Sequence, residues 1–188
     1  GRLTTICDFA FSRTAQSSVS LPDSVTTVGE QAFSESTALT SFHIGAGVTS
    51  FAETALYNDR KIATLTVADG NPVYSAEHNV LYRKADDGLH LMLSPAANTL
   101  TDYTVRAGTV EIGASAFANN KTLTRVVLPE GLKVIGDDAF AGTTALTELV
   151  IPESVERSSG VVGNSLELVE YGSKVTSIRM EGSWVPMP

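Results

Sequence analysis

A periodic pattern of apolar residues is the feature that most constrains this sequence. The segment Leu21–Phe33, LPDSVTTVGEQAF, recurs position by position as Leu128–Phe140, LPEGLKVIGDDAF. The apolar residue that ends each predicted strand recurs at steps of 23, 23, 38, 23 and 23 residues, at Leu21, Ile44, Val67, Val105, Leu128 and Ile151. A fixed period of roughly 20 to 50 residues is typical of repeats that stack on their neighbours. The sequence therefore predicts a solenoid.

Each unit ends in a short stretch with the apolar spacing L-x-x-[LVFY]-x-[LIV]. Its last two apolar positions alternate as in a strand, and a strand this short can bury its apolar face only by stacking in parallel on its copies. The alternating residues are expected to form two columns on an exposed concave face. They are Ser41, His43, Thr64, Thr66, Asp102, Thr104, Arg125, Val127, Glu148 and Val150.

Between the strands lie a small apolar step, a glycine (Gly29, Gly113 or Gly136) and an Ala-Phe pair. We expect the glycines to allow either a backbone turn with a positive φ or close packing against a neighbouring segment. The Ala-Phe pair is expected to fill the core from the convex side. This segment is interpreted as one short, irregular helical turn. Small polar residues that can bond the amides of the turn follow each Phe-type position. They are Thr14, Ser36, Asp59, Asn120 and Thr143.

The combined pattern, L-P-x-x-V-x-x-[IV]-G-x-x-A-F-x-x-x-x-x-L-x-x-[VL]-x-[IL], resembles the BspA-like, or Treponema pallidum type, leucine-rich repeat. Ala55-Leu56 replaces Ala-Phe in one copy, and the family's frequent Cys at the turn is replaced by the small polar residues. The resemblance implies an α/β right-handed solenoid with a parallel β-sheet on the concave face, short irregular helical turns on the convex side and one inserted β-hairpin. It also implies a secreted or cell-surface bacterial protein that binds extracellular-matrix, host or neighbouring-cell proteins.

One solenoid is expected over residues 1–188. Its parts would be a partial repeat at 1–20, repeats at 21–43, 44–66, 67–104, 105–127 and 128–150, and a diverged C-terminal cap at 151–188. Trp184 and the prolines at 186 and 188 are expected to close the open end of the core, or else to pack against a following domain. Because the sequence opens at Gly1 inside a repeat and carries no signal segment, we expect that a targeting segment has been lost.

The long repeat carries an insert near residues 79–93. Asp87-Gly88 lies between two apolar-rich runs, 79–84 and 89–93, and this arrangement predicts a β-hairpin. Two interpretations remain open. The insert contacts a ligand through Tyr74 and Tyr82, since insertions in repeat proteins often map to the binding face; alternatively, it is a decoration that packs on itself, because exposed loops tolerate insertion.

Composition excludes several classes of function. Thirteen Lys and Arg against 21 Asp and Glu give a net charge of -8, which would repel the phosphates of a nucleic acid. The longest apolar stretches are far short of the ~20 residues that span a bilayer, so no membrane insertion is expected. A single cysteine, Cys7, excludes an internal disulfide and a Cys-based zinc site.

No residue pattern indicates catalysis, a cofactor or a metal. His43, His78 and His90 lie in different predicted elements and form no ligand pair, and the sequence has no G-x-S-x-G, Walker or dinucleotide glycine motif. Asp86 and Asp87 lack the alternating oxygen ligands of a calcium loop, and a turn explains them. We therefore expect a protein that is not an enzyme.

Three functions stay open at this point. The first is protein binding through the concave face, where Arg125 is the only residue of the types concentrated at interface hot spots. The second is a rigid spacer or cap within a larger cell-envelope protein. The third, carbohydrate binding, is weaker because the predicted face has no aromatic platform, and loss of binding in Tyr82→Ala would test it.

Overall fold

The computed structural model describes residues 2–158 and three further strands at residues 168–170, 177–180 and 183–186. The chain divides into two compact units, residues 1–84 with 95–97 and residues 85–94 with 98–188. The strands of the first unit are β1 (Thr5–Ile6), β2 (Ser18–Ser20), β3 (Thr27–Val28), β4 (Ser41–Ile44), β5 (Ser50–Phe51), β6 (Thr64–Val67), β7 (Tyr74–Glu77) and β8 (Val80–Ala85). Those of the second unit are β9 (Gly88–Leu93), β10 (Asp102–Thr104), β11 (Thr109–Ile112), β12 (Arg125–Val127), β13 (Val134–Ile135), β14 (Glu148–Val150), β15 (Arg157–Ser158), β16 (Leu168–Glu170), β17 (Ser177–Met180) and β18 (Ser183–Pro186).

The first unit is a β-solenoid in which each coil contributes two strands. One parallel sheet has the order β2-β4-β6, with Phe42 opposite Leu65, and the other has the order β1-β3-β5, with Val28 opposite Phe51. Both pairings join residues 23 positions apart, as the sequence period predicts. The second sheet was not predicted, because two-residue strands are too short to show an alternating pattern.

The second unit repeats this arrangement. Strands β10, β12, β14 and β16 form one parallel sheet, and β9, β11, β13 and β15 follow one another in parallel in the other. Both sheets therefore run past Ile151, where the diverged cap was expected to begin. Strands β17 and β18 pair antiparallel, and the side chain of Trp184 lies outside the described part of the chain. The single array over 1–188 and its repeat boundaries stay predictions.

The core of each unit is a column of residues that repeat at every coil. The predicted Ala-Phe pairs are fully buried, and Phe117 stacks on Phe140 with 5.0 Å between ring centroids and 4° between ring planes. In the first unit Phe11 stacks on Phe33 at 5.3 Å, and Phe42 meets Phe33 edge to face. This aromatic burial confirms the role expected of the Ala-Phe pairs.

The expected helical turns on the convex side are absent from the described residues, where tight turns replace them. Two positions in most coils take left-handed φ values between 50° and 67°, which a right-handed helix cannot accommodate. They are Phe9, Gln31, Ser115 and Asp138 at the first position, and Arg13, Glu35, Asn58, Asn119 and Gly142 at the second. The turn amides bond across coils, as from Phe117 N to Ala139 O at 2.7 Å, rather than along a helix.

Four of the small polar residues of the turns, Ser36, Asp59, Asn120 and Thr143, are buried, and Thr14 is half-buried. Only Asp59 and Asn120 bond backbone amides as predicted, whereas the hydroxyl groups of Ser36 and Thr143 donate to the carbonyl groups of Phe11 and Phe140. Asn120 accepts from the amides of Thr122 and Leu123 at 3.0 and 2.9 Å and donates to the Asn98 carbonyl at 3.1 Å. Asn98, which lies 22 residues before Asn120, is also buried, although the sequence pattern did not single it out. Asp59 is the charged member of this set, and burial raises its pKa from 3.8 to about 7.

Close packing, rather than a positive φ, explains the glycines before the Ala-Phe pairs. Gly29, Gly113 and Gly136 all have ordinary backbone angles. A Cβ atom on Gly136 would lie 2.5 Å from the backbone nitrogen of Ala114, one coil away. A Cβ atom on Gly29 would lie 2.7 Å from the backbone nitrogen of Asp8, so a side chain at either position would push adjacent coils apart; at Gly113 the nearest atom, the Leu91 carbonyl oxygen, is 3.3 Å away.

The insert begins earlier than predicted. Strand β7 pairs antiparallel with β8, and Glu77 lies opposite Val80. The connecting residues His78 and Asn79 have φ values of 51° and 65°, the left-handed pair that a two-residue hairpin turn requires. Strands β8 and β9 lie where the sequence predicted the arms of a hairpin, but the Asp87-Gly88 signal did not reveal the turn at residues 78–79.

Candidate binding surfaces

The exposed side of strands β2, β4 and β6, called the first face below, carries small polar side chains. Thr64 and Thr66 are exposed, and Ser41 and His43 are half-buried, whereas Phe42 and the other alternating residues point into the core. His43 Nδ1 lies 2.8 Å from Thr66 Oγ1 on the next strand. The first face is thus uncharged when His43 is neutral, and it is rich in hydroxyl groups.

The exposed side of strands β10, β12 and β14, called the second face below, is chemically different. Asp102, Thr104 and Arg125 are exposed and Val127 is half-buried. Val150 is 40% exposed, which makes it one of few large apolar residues with such exposure in the described part of the chain. An apolar column formed by Val127 and Val150 therefore runs beside a charged column that contains Asp102 and Arg125.

The register of the second face places opposite charges on adjacent strands. Asp102 lies opposite Arg125, and Arg125 lies opposite Glu148, whose side chain is outside the described part of the chain. Directly opposed residues in neighbouring strands are close enough for their side chains to interact. A row of alternating charge can discriminate between partners by electrostatic complementarity.

Tyr74 and Tyr82, proposed from the sequence as hairpin contacts, do not form a contact surface. Tyr74 is 4% exposed and Tyr82 is fully buried. The Tyr74 hydroxyl accepts a hydrogen bond from the backbone amide of Phe51 at 2.9 Å. Both rings pack inside the first unit, which favours the interpretation of the insert as a self-packed decoration. Carbohydrate binding through Tyr82 loses its structural basis.

The described residues 2–158 contain no cluster of metal-ligating side chains. No three His, Cys, Asp or Glu side chains converge there in a way that could hold a metal ion. Cys7 is exposed and unpaired with any other cysteine. Among the residues that the structure describes, no helical segment could cross a lipid bilayer.

The repeat identified from spacing matches a known family model. The model of the BspA type leucine-rich repeat region matches six copies in this chain, over residues 2–83 and 96–181. The chain belongs to the BspA-type leucine-rich repeat family. The sequence-based resemblance is thereby confirmed, and the parallel β-solenoid is the leucine-rich repeat fold. None of the curated proteins matches the chain.

Solved structures of several bacterial proteins share the fold. A leucine-rich repeat protein from Eubacterium ventriosum is 27% identical with a TM-score of 0.77, over 90% of this chain and 46% of that one. A leucine-rich cell surface protein from Faecalibacterium prausnitzii is 27% identical with a TM-score of 0.60, over 89% and 57%. The pneumococcal vaccine antigen PcpA is 21% identical with a TM-score of 0.69, over 94% and 53%. The chain thus spans about half the length of these proteins.

The BspA-type period extends the first face by two residues that the sequence analysis missed. Ser18 and Ser20 on β2 are exposed and lie opposite Ser41 and His43. They stand 23 residues before those partners, and Val19 and Leu21 alternate with them. The period alone could have found them, although the first copy has Gln16 where the other strand motifs begin with leucine or isoleucine.

The hairpin turn caps an edge of the first face. The side-chain oxygen of Asn79 accepts a hydrogen bond from the backbone amide of Leu65, at the middle of β6, at 3.2 Å. Unpaired amides at a sheet edge invite pairing with other chains, and native proteins commonly cover them. Asn79 therefore blocks strand addition at this amide, a role that no sequence signal indicated.

Proposed function

We propose that this chain is a non-enzymatic protein-interaction module of a bacterial cell-surface or secreted protein, acting in adhesion to host or neighbouring-cell proteins. The observation that carries the proposal is the exposed, ordered side of the strand sheets. Solenoids commonly bind partners through extended surfaces of this kind. The cell-surface description of the Faecalibacterium protein, at 27% identity, supports the location.

The second face is the stronger candidate contact surface. It combines an arginine with two aliphatic side chains, the half-buried Val127 and the exposed Val150, and arginine is enriched among the residues that dominate binding energy. The first face consists mostly of small serine and threonine side chains of similar size, which give little discrimination between partners. We therefore assign partner recognition to Asp102, Arg125 and Val150, with Ser41, Thr64 and Thr66 contributing a polar extension.

The test is binding of the fluorescently labelled protein to reconstituted basement-membrane matrix and to intact mammalian cells. Reversal of the charges in Asp102→Lys with Arg125→Glu should lower binding at least tenfold, because each like-charge contact costs several kcal/mol. Glu130→Lys makes the same charge change as Asp102→Lys at an exposed residue outside the strands, and it should bind like the wild type. Binding no stronger than that of an unrelated acidic protein would refute adhesion.

The alternative is a rigid spacer within a larger envelope protein, and one set of contacts favours it. Threonine hydroxyls donate to carbonyl groups of the preceding coil, as from Thr124 to Thr101 at 3.0 Å and from Thr40 to Ser17 at 3.0 Å. Such bonds stiffen the stack without using the faces. A spacer requires that face variants keep every phenotype, whereas deletion of the 23 residues 128–150 does not.

A further inference from the structure

Asn71 places a polar side chain at a core position of the repeat. Val25 and Val48 fill this position in the two preceding coils, and both are fully buried; Asn71 follows Val48 at the same step of 23 residues. Asn71 is itself only 4% exposed. A buried amide is costly unless its donors and acceptors find partners. The coil that begins at Asn71 therefore differs in chemistry from the coils before it.

The hydrogen bonds of the Asn71 side chain run in two directions. Its Nδ2 atom donates to the carbonyl oxygens of Gly45 and Val48, at 2.9 and 3.0 Å, which belong to the link between β4 and β5. Its Oδ1 atom accepts from the backbone amides of Val73 and Tyr74, at 2.9 and 2.7 Å. One side chain thus satisfies the carbonyl groups of one coil and holds the start of strand β7 against it.

Tyr74 acts on a sheet edge of the first unit in the same way. Val28 on β3 pairs with Phe51 on β5, and Tyr74 lies 23 residues after Phe51. Its strand, β7, does not join this sheet, whose order ends at β5, but pairs with β8. The Phe51 amide donates to the Tyr74 hydroxyl at 2.9 Å, and the two rings meet edge to face with 6.3 Å between centroids. A side-chain oxygen thus replaces the carbonyl oxygen that a further strand would supply.

Asn79 closes the other sheet of the first unit. Its side-chain oxygen accepts from the Leu65 amide on β6, the last strand in the order β2-β4-β6. Residues 71–79 therefore satisfy backbone groups at the last strand of each sheet and in the link between β4 and β5. Buried backbone groups need such partners, and the terminal repeats of a solenoid need caps.

We propose that residues 71–79 are an internal cap, which ends the core and both sheets of the first unit so that this unit unfolds cooperatively on its own. In an unbroken solenoid each coil is stabilised by its neighbours on both sides. The internal cap supplies these contacts from side chains instead of from a following coil. The first face and the second face then belong to modules that open separately, each with its own free energy of opening.

The test is native-state amide hydrogen exchange of the full chain at low concentrations of urea. The probes are hydrogen-bonded amides of the first unit, Gly29 and Ala63, and of the second unit, Phe117 and Gly136. Asn71→Ala should lower protection in the first unit by at least about tenfold, because it leaves buried amide and carbonyl groups without partners. Protection in the second unit should stay within about twofold of the wild type.

Asn120→Ala is the matched control. Asn120 is also a buried asparagine that accepts from two amides and donates to a carbonyl, but it lies in the second unit. It should give the reverse result, with protection lost at Phe117 and Gly136 and kept at Gly29 and Ala63. Equal losses in both units for either variant would overturn the proposal, because the two units would then unfold as one array.

Asn71→Val distinguishes a cap from an ordinary core position. Valine restores the residue of the preceding coils, so a position that serves only the core should keep or raise the protection of the first unit. A cap predicts instead a loss similar to that of Asn71→Ala. Unchanged or increased protection of the first unit in Asn71→Val would contradict the internal cap.

Tyr74→Phe carries the test if neither Asn71 variant folds. It keeps the ring and removes only the hydroxyl group that accepts from Phe51. The Phe51 amide should lose protection by at least about fivefold, with a smaller loss across the first unit and none in the second. Unchanged protection at Phe51, or an equal loss in both units, would overturn the proposal.

Discussion

The Asp59 carboxylate accepts a hydrogen bond from the backbone amide of Ser36, one coil earlier, with 2.7 Å between Oδ1 and N. Its other oxygen, Oδ2, is buried and finds no hydrogen-bond partner among the described residues. Burial and, to a lesser extent, the nearby charge of Glu35 raise the pKa of Asp59 to about 7. The hydrogen bond from the Ser36 amide lowers this pKa, but by less than burial raises it. The folded state therefore prefers the protonated carboxyl, and proton binding is coupled to folding.

The first prediction follows from the sign of this coupling. Because the folded pKa lies above the unfolded value of 3.8, stability is greatest below about pH 4 at this site and falls as the pH rises towards 7. The loss amounts to at most about 4 kcal/mol. Asp59→Asn keeps an acceptor for the Ser36 amide without a charge. It should raise the free energy of unfolding at pH 8, measured by urea denaturation.

Asp23→Asn is the control for this prediction. Asp23 also accepts an amide of the next coil, from Ala46 at 2.8 Å, but it is exposed. Its substitution should change stability by less than about 0.5 kcal/mol. Equal effects of the two substitutions at pH 8 would show that burial of Asp59 has no energetic consequence.

The second prediction concerns Asn120, whose side chain satisfies two amides and one carbonyl inside the second unit. Asn120→Ala leaves these groups buried without partners, and each such group costs about 1 to 3 kcal/mol. We expect a loss of at least about 2 kcal/mol in urea denaturation. Asn120→Thr should cost less, because Thr143 fills the same position one coil later by donating to the Phe140 carbonyl. If Asn120→Ala leaves the free energy of unfolding unchanged, the buried polar residues of the turns have no structural role.

The sequence period predicted the features that every coil repeats. Phe42, Leu65 and Val126 point inward and their neighbours outward, because a strand that stacks on copies of itself has only one way to bury its apolar residues. The period therefore located the candidate faces as well. It also located the buried polar column, since Asn120 and Thr143 recur at a fixed distance from the Ala-Phe pair.

Features that do not repeat, or that depend on the backbone alone, could not be predicted from the sequence. The left-handed residues Gln31 and Glu35 carry no side-chain signature, since left-handed positions are usually recognised by glycine or asparagine. Tyr82 occurs in the insert, where no second copy shows which side chains are buried. The bulge in the pairing of β9 with β11, which aligns Glu111 with His90, depends on two strands of different repeats, which local patterns do not encode.

The third prediction concerns the stacked rings of Phe117 and Phe140, with centroids 5.0 Å apart. Phe117→Ala opens a cavity in a fully buried column and should cost about 3 to 5 kcal/mol. Phe117→Leu retains most of the side-chain volume and should cost less, because Leu56 fills the equivalent core position in another coil. Phe9→Ala is the control, since Phe9 is 57% exposed and its removal should change stability by less than about 0.5 kcal/mol.

The fourth prediction separates the two roles of Asn79 in the hairpin turn. Its backbone has a φ of 65°, and its side chain bonds the Leu65 amide. Asn79→Gly keeps the left-handed turn and loses only the hydrogen bond, which should cost about 1 kcal/mol. Asn79→Ala also forces a Cβ-bearing residue without local hydrogen bonds into this conformation, which should add about 1 kcal/mol.

Urea denaturation measures the two costs, and hydrogen exchange at the Leu65 amide measures the cap. Both variants should expose this amide equally, because both remove its acceptor, while only Asn79→Ala should lose the additional stability. Exposure of the amide would also open the β6 edge to strand addition, so both variants should self-associate more than the wild type in analytical ultracentrifugation. If the Leu65 amide stays protected in Asn79→Gly, the side chain of Asn79 is not its cap, and the hairpin covers this edge through its backbone instead.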